Sequence, residues 1–134
     1  MIKRGLTHIT IILSAILLVI CLLLSGCGGK STFDGSRTSD ETGFRMEYSI
    51  LDKEESAELN LTEGDQLQVS ISHTTGNVDV IVGRNGEESI YKGTGQENAD
   101  FVLTIPKTGA YQISVRGHRA KGEISFTCIP LKEE

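Results

Sequence analysis

The chain has 134 residues, with 13 Lys and Arg against 18 Asp and Glu, a net charge of −5 and 38% apolar residues. That length holds one domain and argues against a large enzyme with a deep core. The apolar residues are concentrated, 17 in the first 26 positions and 34 in the other 108, so no second long apolar run exists and a multi-span membrane protein is excluded.

The leader opens with Lys3 and Arg4 ahead of an apolar run, Ile9 to Leu24, interrupted only by Thr10, Ser14 and Cys21. A positive start followed by an apolar stretch is the plan of an export signal. The run closes in Leu24-Ser25-Gly26-Cys27. This quartet resembles the lipobox of bacterial lipoproteins. The resemblance implies a diacylglyceryl group on the Cys27 thiol and cleavage between Gly26 and Cys27 by a dedicated signal peptidase, with Leu24, Ser25 and Gly26 as its recognition residues. The residue types suit that chemistry: thiolate is the nucleophile that lipid transfer needs, Ser25 and Gly26 are small enough for close backbone approach, and Leu24 is apolar. The alternative is an uncleaved signal anchor, since Leu6 to Leu24 spans 19 residues, near the minimum for a bilayer. Both readings place the body outside the membrane. They differ in the anchor, because two acyl chains hold stably where one does not.

Removing Lys3 and Arg4 with residues 1–26 leaves 11 basic and 18 acidic residues, a net charge of −7. Such a body is a poor partner for nucleic acid or anionic lipid surfaces. Cleavage also discards Cys21, and lipid blocks Cys27, so Cys128 is left without a disulfide partner. Ile124, Phe126 and Cys128 share one face of a strand, so Cys128 is expected in the core as a small hydrophobe.

Gly28 to Gly43 reads GGKSTFDGSRTSDETG, with Phe33 its one large apolar residue and no period of two or 3.6. Residues 27–43 are therefore expected to be the lipidated cysteine and a disordered tether, with a root-mean-square reach of about 22 Å.

From Phe44 the pattern turns to period two. Phe44, Met46, Tyr48 and Ile50 form one alternating run, followed by Ala57-Leu59-Leu61, Leu67-Val69-Ile71, Val78-Val80-Val82, Ile90, Phe101-Leu103-Ile105, Tyr111-Ile113-Val115 and Ile124-Phe126-Cys128. Turn signals separate them at Glu63-Gly64-Asp65, Thr75-Gly76-Asn77, Arg84-Asn85-Gly86, Pro106 to Gly109 and Lys121-Gly122. Short strands at this spacing predict an all-β antiparallel sandwich of about eight strands over 44–131, with 132–134 a tail. Tyr111 opens a strand after a Pro/Gly turn, where a tyrosine bonds back to upstream backbone in Greek-key sandwiches; the alternative is an ordinary half-buried aromatic.

The run from Leu67 to Phe126 carries Thr75-Gly76-Asn77, Val78-Asp79-Val80, Ser89-Ile90-Tyr91, Thr108-Gly109-Ala110-Tyr111 and a close at Ala120-Lys121-Gly122-Glu123-Ile124. That order resembles the jelly-roll modules appended to secreted bacterial peptidases, the prepeptidase C-terminal-like domains, and related carbohydrate-binding β-sandwiches. Such modules carry aspartates near this strand; only Asp79 matches, so no calcium site is expected.

The catalytic inventory is thin. His8 belongs to the leader, His73 falls on the inward parity of its strand, at its end, and no His/Cys cluster has zinc-ligand spacing. No nucleophile elbow is present. Gly93-Thr94-Gly95 lacks the following helix that phosphate cradling needs, and Glu54-Glu55 and Glu87-Glu88 fit charged turns. No cofactor or metal and no catalytic residue is expected. One basic cluster stands out on the acidic body: Arg116, His118, Arg119 and Lys121. It fits an anionic-ligand patch or a hairpin tip kept soluble by charge. Tyr91 is the one aromatic expected at the surface for sugar stacking. The sequence thus predicts a membrane-anchored extracytoplasmic lipoprotein with a non-catalytic β-sandwich binding or accessory module. Its expected partners are the bilayer, through the Cys27 acyl groups, and a surface glycan or an envelope protein. A structural subunit of an envelope complex is the competing reading.

Overall fold

A computed structural model describes residues 2–24 and 32–132, with side chains at 5–18 and 32–132. They fall into two separate units, within 1–31 and 32–134. The first is α1 (Ile2–Leu24), with no acidic residue in its first turn and no basic one in its last. Two hydroxyls within its apolar run turn back onto the backbone: Thr10 Oγ1 donates to the Leu6 and Thr7 carbonyls and Ser14 Oγ to that of Ile11, which hides these two polar interruptions. Among the described residues no helix is long and apolar enough to cross a membrane.

The second unit is all-β and antiparallel. It contains β1 (Phe33–Asp40), β2 (Gly43–Leu51), β3 (Glu54–Leu61), β4 (Gln66–Arg84), β5 (Tyr91–Gln96), β6 (Asn98–Thr104) and β7 (Gly109–Ile129). The sheet order is β1-β2-β7-β4-β5, with β3 on β7 and β6 on β4. Strands β4 and β7 are 19 and 21 residues long and pair from Gln66 opposite Ile129 to Arg84 opposite Tyr111. Each takes part in both halves of the sheet. Their ends at Gln66 and Ile129 lie with β1, β2 and β6; their ends at Arg84 and Tyr111 lie with β3 and β5.

The change-over lies at Thr75 to Asn77 and His118 to Gly122, where the register shifts twice. In β4 the inward residues are Leu67, Val69, Ile71 and His73, then Val78, Val80 and Val82. In β7 they are Tyr111, Ile113 and Val115, then Ala120, Ile124 and Phe126. Parity flips once in each strand, as extra bulge residues require if the same face is to stay buried. Gly76 makes this bend feasible: its φ is +72°, and a Cβ there would stand 2.3 Å from the Arg119 carbonyl oxygen. Inward residues from both halves form one core, with Phe44 stacked on Phe126 at a centroid distance of 6.1 Å. The result is a sandwich-like fold.

Three expectations are corrected. The strands number seven rather than eight: Thr75-Gly76-Asn77 and Lys121-Gly122 are bulges inside continuous strands and not chain reversals, which merges four expected strands into two, and β1 adds one. Glycine marks both structures, and composition alone does not separate them. The expected tether is ordered from Phe33 onward: β1 pairs with β2 through a turn in which Asp40 Oδ1 accepts from the Thr42 amide at 2.8 Å. This strand is exposed at every position after Phe33 and so carries no apolar period. Glu54 and Glu55 begin β3 instead of lying in a turn.

Tyr111 does make the corner bond. Its hydroxyl donates to the Lys107 carbonyl at 2.6 Å. Cys128 faces inward as expected but is only half-buried at the edge of the core.

Candidate functional site

The bulges place the site. Register shifts occur at Asp34/Gly35 between β1 and β2, at Tyr48/Leu51 between β2 and β7, and at His73/Thr75 between β4 and β7. They fall in one line across the sheet, because Gly35 pairs with Tyr48, Tyr48 with Gly122, and Gly122 with His73. Bulges re-aim side chains and cluster beside functional sites. Along this line runs an open groove of about 590 Å³.

One wall is a row of directly paired residues, Ser36 opposite Glu47, Glu47 opposite Glu123, and Glu123 opposite Ser72. The other wall carries Asp34, Ser49, Thr74 and Lys121. Ser49 Oγ donates to Asp34 Oδ2 at 3.0 Å, and Thr74 Oγ1 to the Lys121 carbonyl at 3.3 Å. Gly122 lets the strands close beneath the groove, since a Cβ there would stand 2.0 Å from the Ser72 carbonyl oxygen. Glu47 and Glu123 face each other across neighbouring strands, an arrangement that costs stability. Neither forms an ion pair among the described residues.

Beneath the groove the Tyr48 hydroxyl lies 2.5 Å from His73 Nε2, and His73 Nδ1 lies 3.0 Å from the Glu97 carbonyl oxygen. A carbonyl only accepts, so Nδ1 carries the ring proton and Nε2 accepts from Tyr48. Both ring nitrogens are therefore committed. Burial drives the His73 pKa down, opposed in part by the Glu97 carbonyl, and drives that of Tyr48 up. A neutral imidazole and a neutral phenol result at pH 7. Tyr48 lines the groove, and His73 holds its hydroxyl from within the core.

The basic cluster does not form a hairpin tip. Arg116, His118, Arg119 and Lys121 lie within β7, at and beside the bend. His118 Nε2 is 2.8 Å from Asp79 Oδ2, and Arg116 Nη1 is 3.9 Å from Glu54 Oε2. The Asp79 carboxyl, which also accepts from the Gly95 amide at 2.8 Å, is held below the ordinary carboxylate range, first by the His118 hydrogen bond. Arg119 stands at φ +48° with its amide bonded to Asp52 Oδ1 at 3.2 Å. Arg116 and His118 thus face carboxylates of neighbouring strands, and of the four residues only Lys121 reaches the groove.

The remaining expectations also find their places. Tyr91 is not a free platform: it is half-buried, tilted against Phe101 at 4.6 Å and bonded to Gln96 Nε2 at 2.5 Å. Burial and the nearby Asp65 carboxylate raise the Cys128 thiol pKa, which makes it a poor nucleophile. Among the described residues no group of three or more His, Cys, Asp or Glu could hold a metal ion. Ser25, Gly26 and Cys27 lie outside the described residues, and Leu24 is the last residue of α1.

The sequence did not point to Glu47, Glu123, Ser36 or Ser72. Each reads as an ordinary outward residue of its strand, and only the pairing of four strands brings them together. No family model matches the chain, and no curated protein matches it.

Proposed function

We propose that this chain is a bacterial lipoprotein, held on the extracytoplasmic face of a membrane by acyl groups on Cys27, whose β unit is a non-catalytic binding module. The observation that carries the reading is that Leu24-Ser25-Gly26-Cys27 follows directly on the apolar run Ile9 to Leu24, which is helical in α1. Eight of its large apolar side chains, Leu6 to Leu18, are exposed around the helix. An all-round apolar helix belongs in lipid, as an export signal requires. The two half-sheets that share β4 and β7 fit the jelly-roll modules of the prepeptidase C-terminal-like kind.

A binding role rests on the groove: it offers hydroxyls, carboxylates and a lysine, and the one buried histidine beneath it has no free ring nitrogen. Among the described residues of the β unit, the large apolar side chains that are exposed are Ile81, Val102, Ile129 and Leu131. That favours ligand binding over a structural subunit, which would need a continuous apolar face. The test is the intact mass of membrane-extracted protein beside a Cys27→Ala variant. Loss of residues 1–26 with a gain of diacylglyceryl mass, absent in the variant, supports the reading. A full-length unmodified mass overturns it in favour of the uncleaved signal anchor.

A further inference from the structure

The groove over the bulge line has a chemistry that narrows its ligand. Neighbouring strands stand about 4.8 Å apart, so the wall Ser36, Glu47, Glu123, Ser72 presents four polar side chains at steps close to the length of one pyranose unit. Hydroxyls at both ends can donate and accept, the two central carboxylates accept only, and Lys121 across the groove donates only. A polyol meets each group, and an extended sugar chain laid across the strands meets them in turn. The groove is also electrostatically one-sided: Asp34, Glu47 and Glu123 outnumber Lys121. Like charges opposite one another at Glu47 and Glu123 destabilise the free sheet, and a cation between them relieves that cost.

From this juxtaposition we infer that the groove binds an oligosaccharide bearing free amino groups, its hydroxyls on Ser36 and Ser72 and its ammonium groups between Glu47 and Glu123. The inference rests on the binding-module reading above and gives that module its ligand class. An anionic glycan is repelled by the same carboxylates. An N-acetylated one keeps the hydroxyl contacts but loses the charge-assisted bonds, which are about twice as strong as neutral ones.

The test is calorimetric titration of the full chain in detergent with a glucosamine tetramer, an N-acetylglucosamine tetramer and spermine. Glu47→Gln and Glu123→Gln variants are titrated alongside. Binding of the glucosamine tetramer is expected to exceed that of its acetylated counterpart by about tenfold and to fall by about tenfold in each variant. Thermal melts show that the variants fold: removal of one of two facing charges is expected to raise Tm while it weakens binding. Equal binding of the two tetramers, binding that survives both variants, or no binding of the glucosamine tetramer overturns the inference. Spermine bound as tightly as the tetramer overturns it too, since charge alone then suffices. If only the acetylated tetramer binds and amide shifts map it to the groove, the amino-sugar inference fails and the binding-module reading stands. If no sugar binds at all, both fail.

Discussion

Tyr48 donates its phenolic proton to His73 Nε2 across 2.5 Å, and with this bond β2 reaches past β7 to β4. His73 passes the connection on through Nδ1 to the Glu97 carbonyl, in the link between β5 and β6. The backbone ladder is broken by register shifts beside both residues. The side-chain chain thus holds the sheet where main-chain pairing is weakest. It also keeps the floor of the groove in place as the strands bend.

This arrangement carries an acid limb of stability. Burial lowers the pKa of folded His73, whereas the unfolded imidazole returns to about 6.5. The folded state binds fewer protons, so the contribution is full above that value and is lost as pH falls through the folded pKa. Tm of the wild type is expected to decline below about pH 6.5. In His73→Gln the decline in that window should vanish, although Tm is lower throughout. Asp79 and Asp40, held below the ordinary carboxylate range by hydrogen bonds from His118 and Thr42, act at more acidic pH. An unchanged limb in His73→Gln would assign it to groups other than this pair.

Two tyrosine hydroxyls should rank by what they leave behind. Tyr48→Phe strands the buried Nε2 of His73, an uncompensated acceptor worth about 1–3 kcal/mol. Tyr111→Phe removes the bond to the carbonyl of Lys107, which sits in an exposed loop where water replaces the donor, so the cost is about 1 kcal/mol. Urea denaturation of the two variants measures the difference. The opposite order would mean that the corner at Pro106 to Gly109 holds the fold more firmly than the floor of the groove.

Local alternation was legible along most strands with one wet and one dry face, but not past the β2 bulge, where Leu51 is buried in place of the expected Ile50. Phe44, Met46, Tyr48 and Leu67, Val69, Ile71 read correctly, as did the inward parity of His73 and the Tyr111 corner. Strand β1 was not legible, because an edge strand held by backbone bonds and polar side chains has no apolar period. The bulges were mistaken for turns because Gly76 and Gly122 serve either purpose. The groove was invisible because pairing Glu47 with Glu123 joins residues 76 positions apart, and single-strand periodicity holds no register information.

The bend should respond oppositely to two backbone changes. Gly76→Ala places a Cβ against the Arg119 carbonyl at a φ of +72°, and a loss of about 2 kcal/mol or more is expected. Arg119 itself holds a φ of +48°, which costs a non-glycine residue about 1 kcal/mol. Arg119→Gly should therefore be neutral or slightly stabilising, and its amide can keep the bond to Asp52. Thermal melts of both variants decide. A strongly destabilised Arg119→Gly would show that the side chain, not the backbone, sustains the bend.

Arg37 is what ties β1 to the opposite half of the fold. From the exposed strand its guanidinium lies over the Phe44 ring at 5.1 Å, pairs with Glu55 and donates to the Ser56 carbonyl, both on β3. Lys53 adds a second cation to Glu55 at 3.1 Å. The arginine is 36% exposed but Glu55 only 12%, so the pair is better shielded than an ordinary surface pair. Arg37→Ala is expected to cost about 1 kcal/mol, the ion pair and the cation–π contact contributing similar amounts. The loss should be local: amides of β1 and of the Asp40 to Gly43 turn exchange faster, while those of β4 and β7 do not. Arg37→Lys restores the charge but not the forked geometry, and so recovers only part of the protection. High salt should narrow the gap between wild type and Arg37→Ala. Equal exchange protection of β1 in both proteins would show that main-chain pairing with β2 suffices to order this strand.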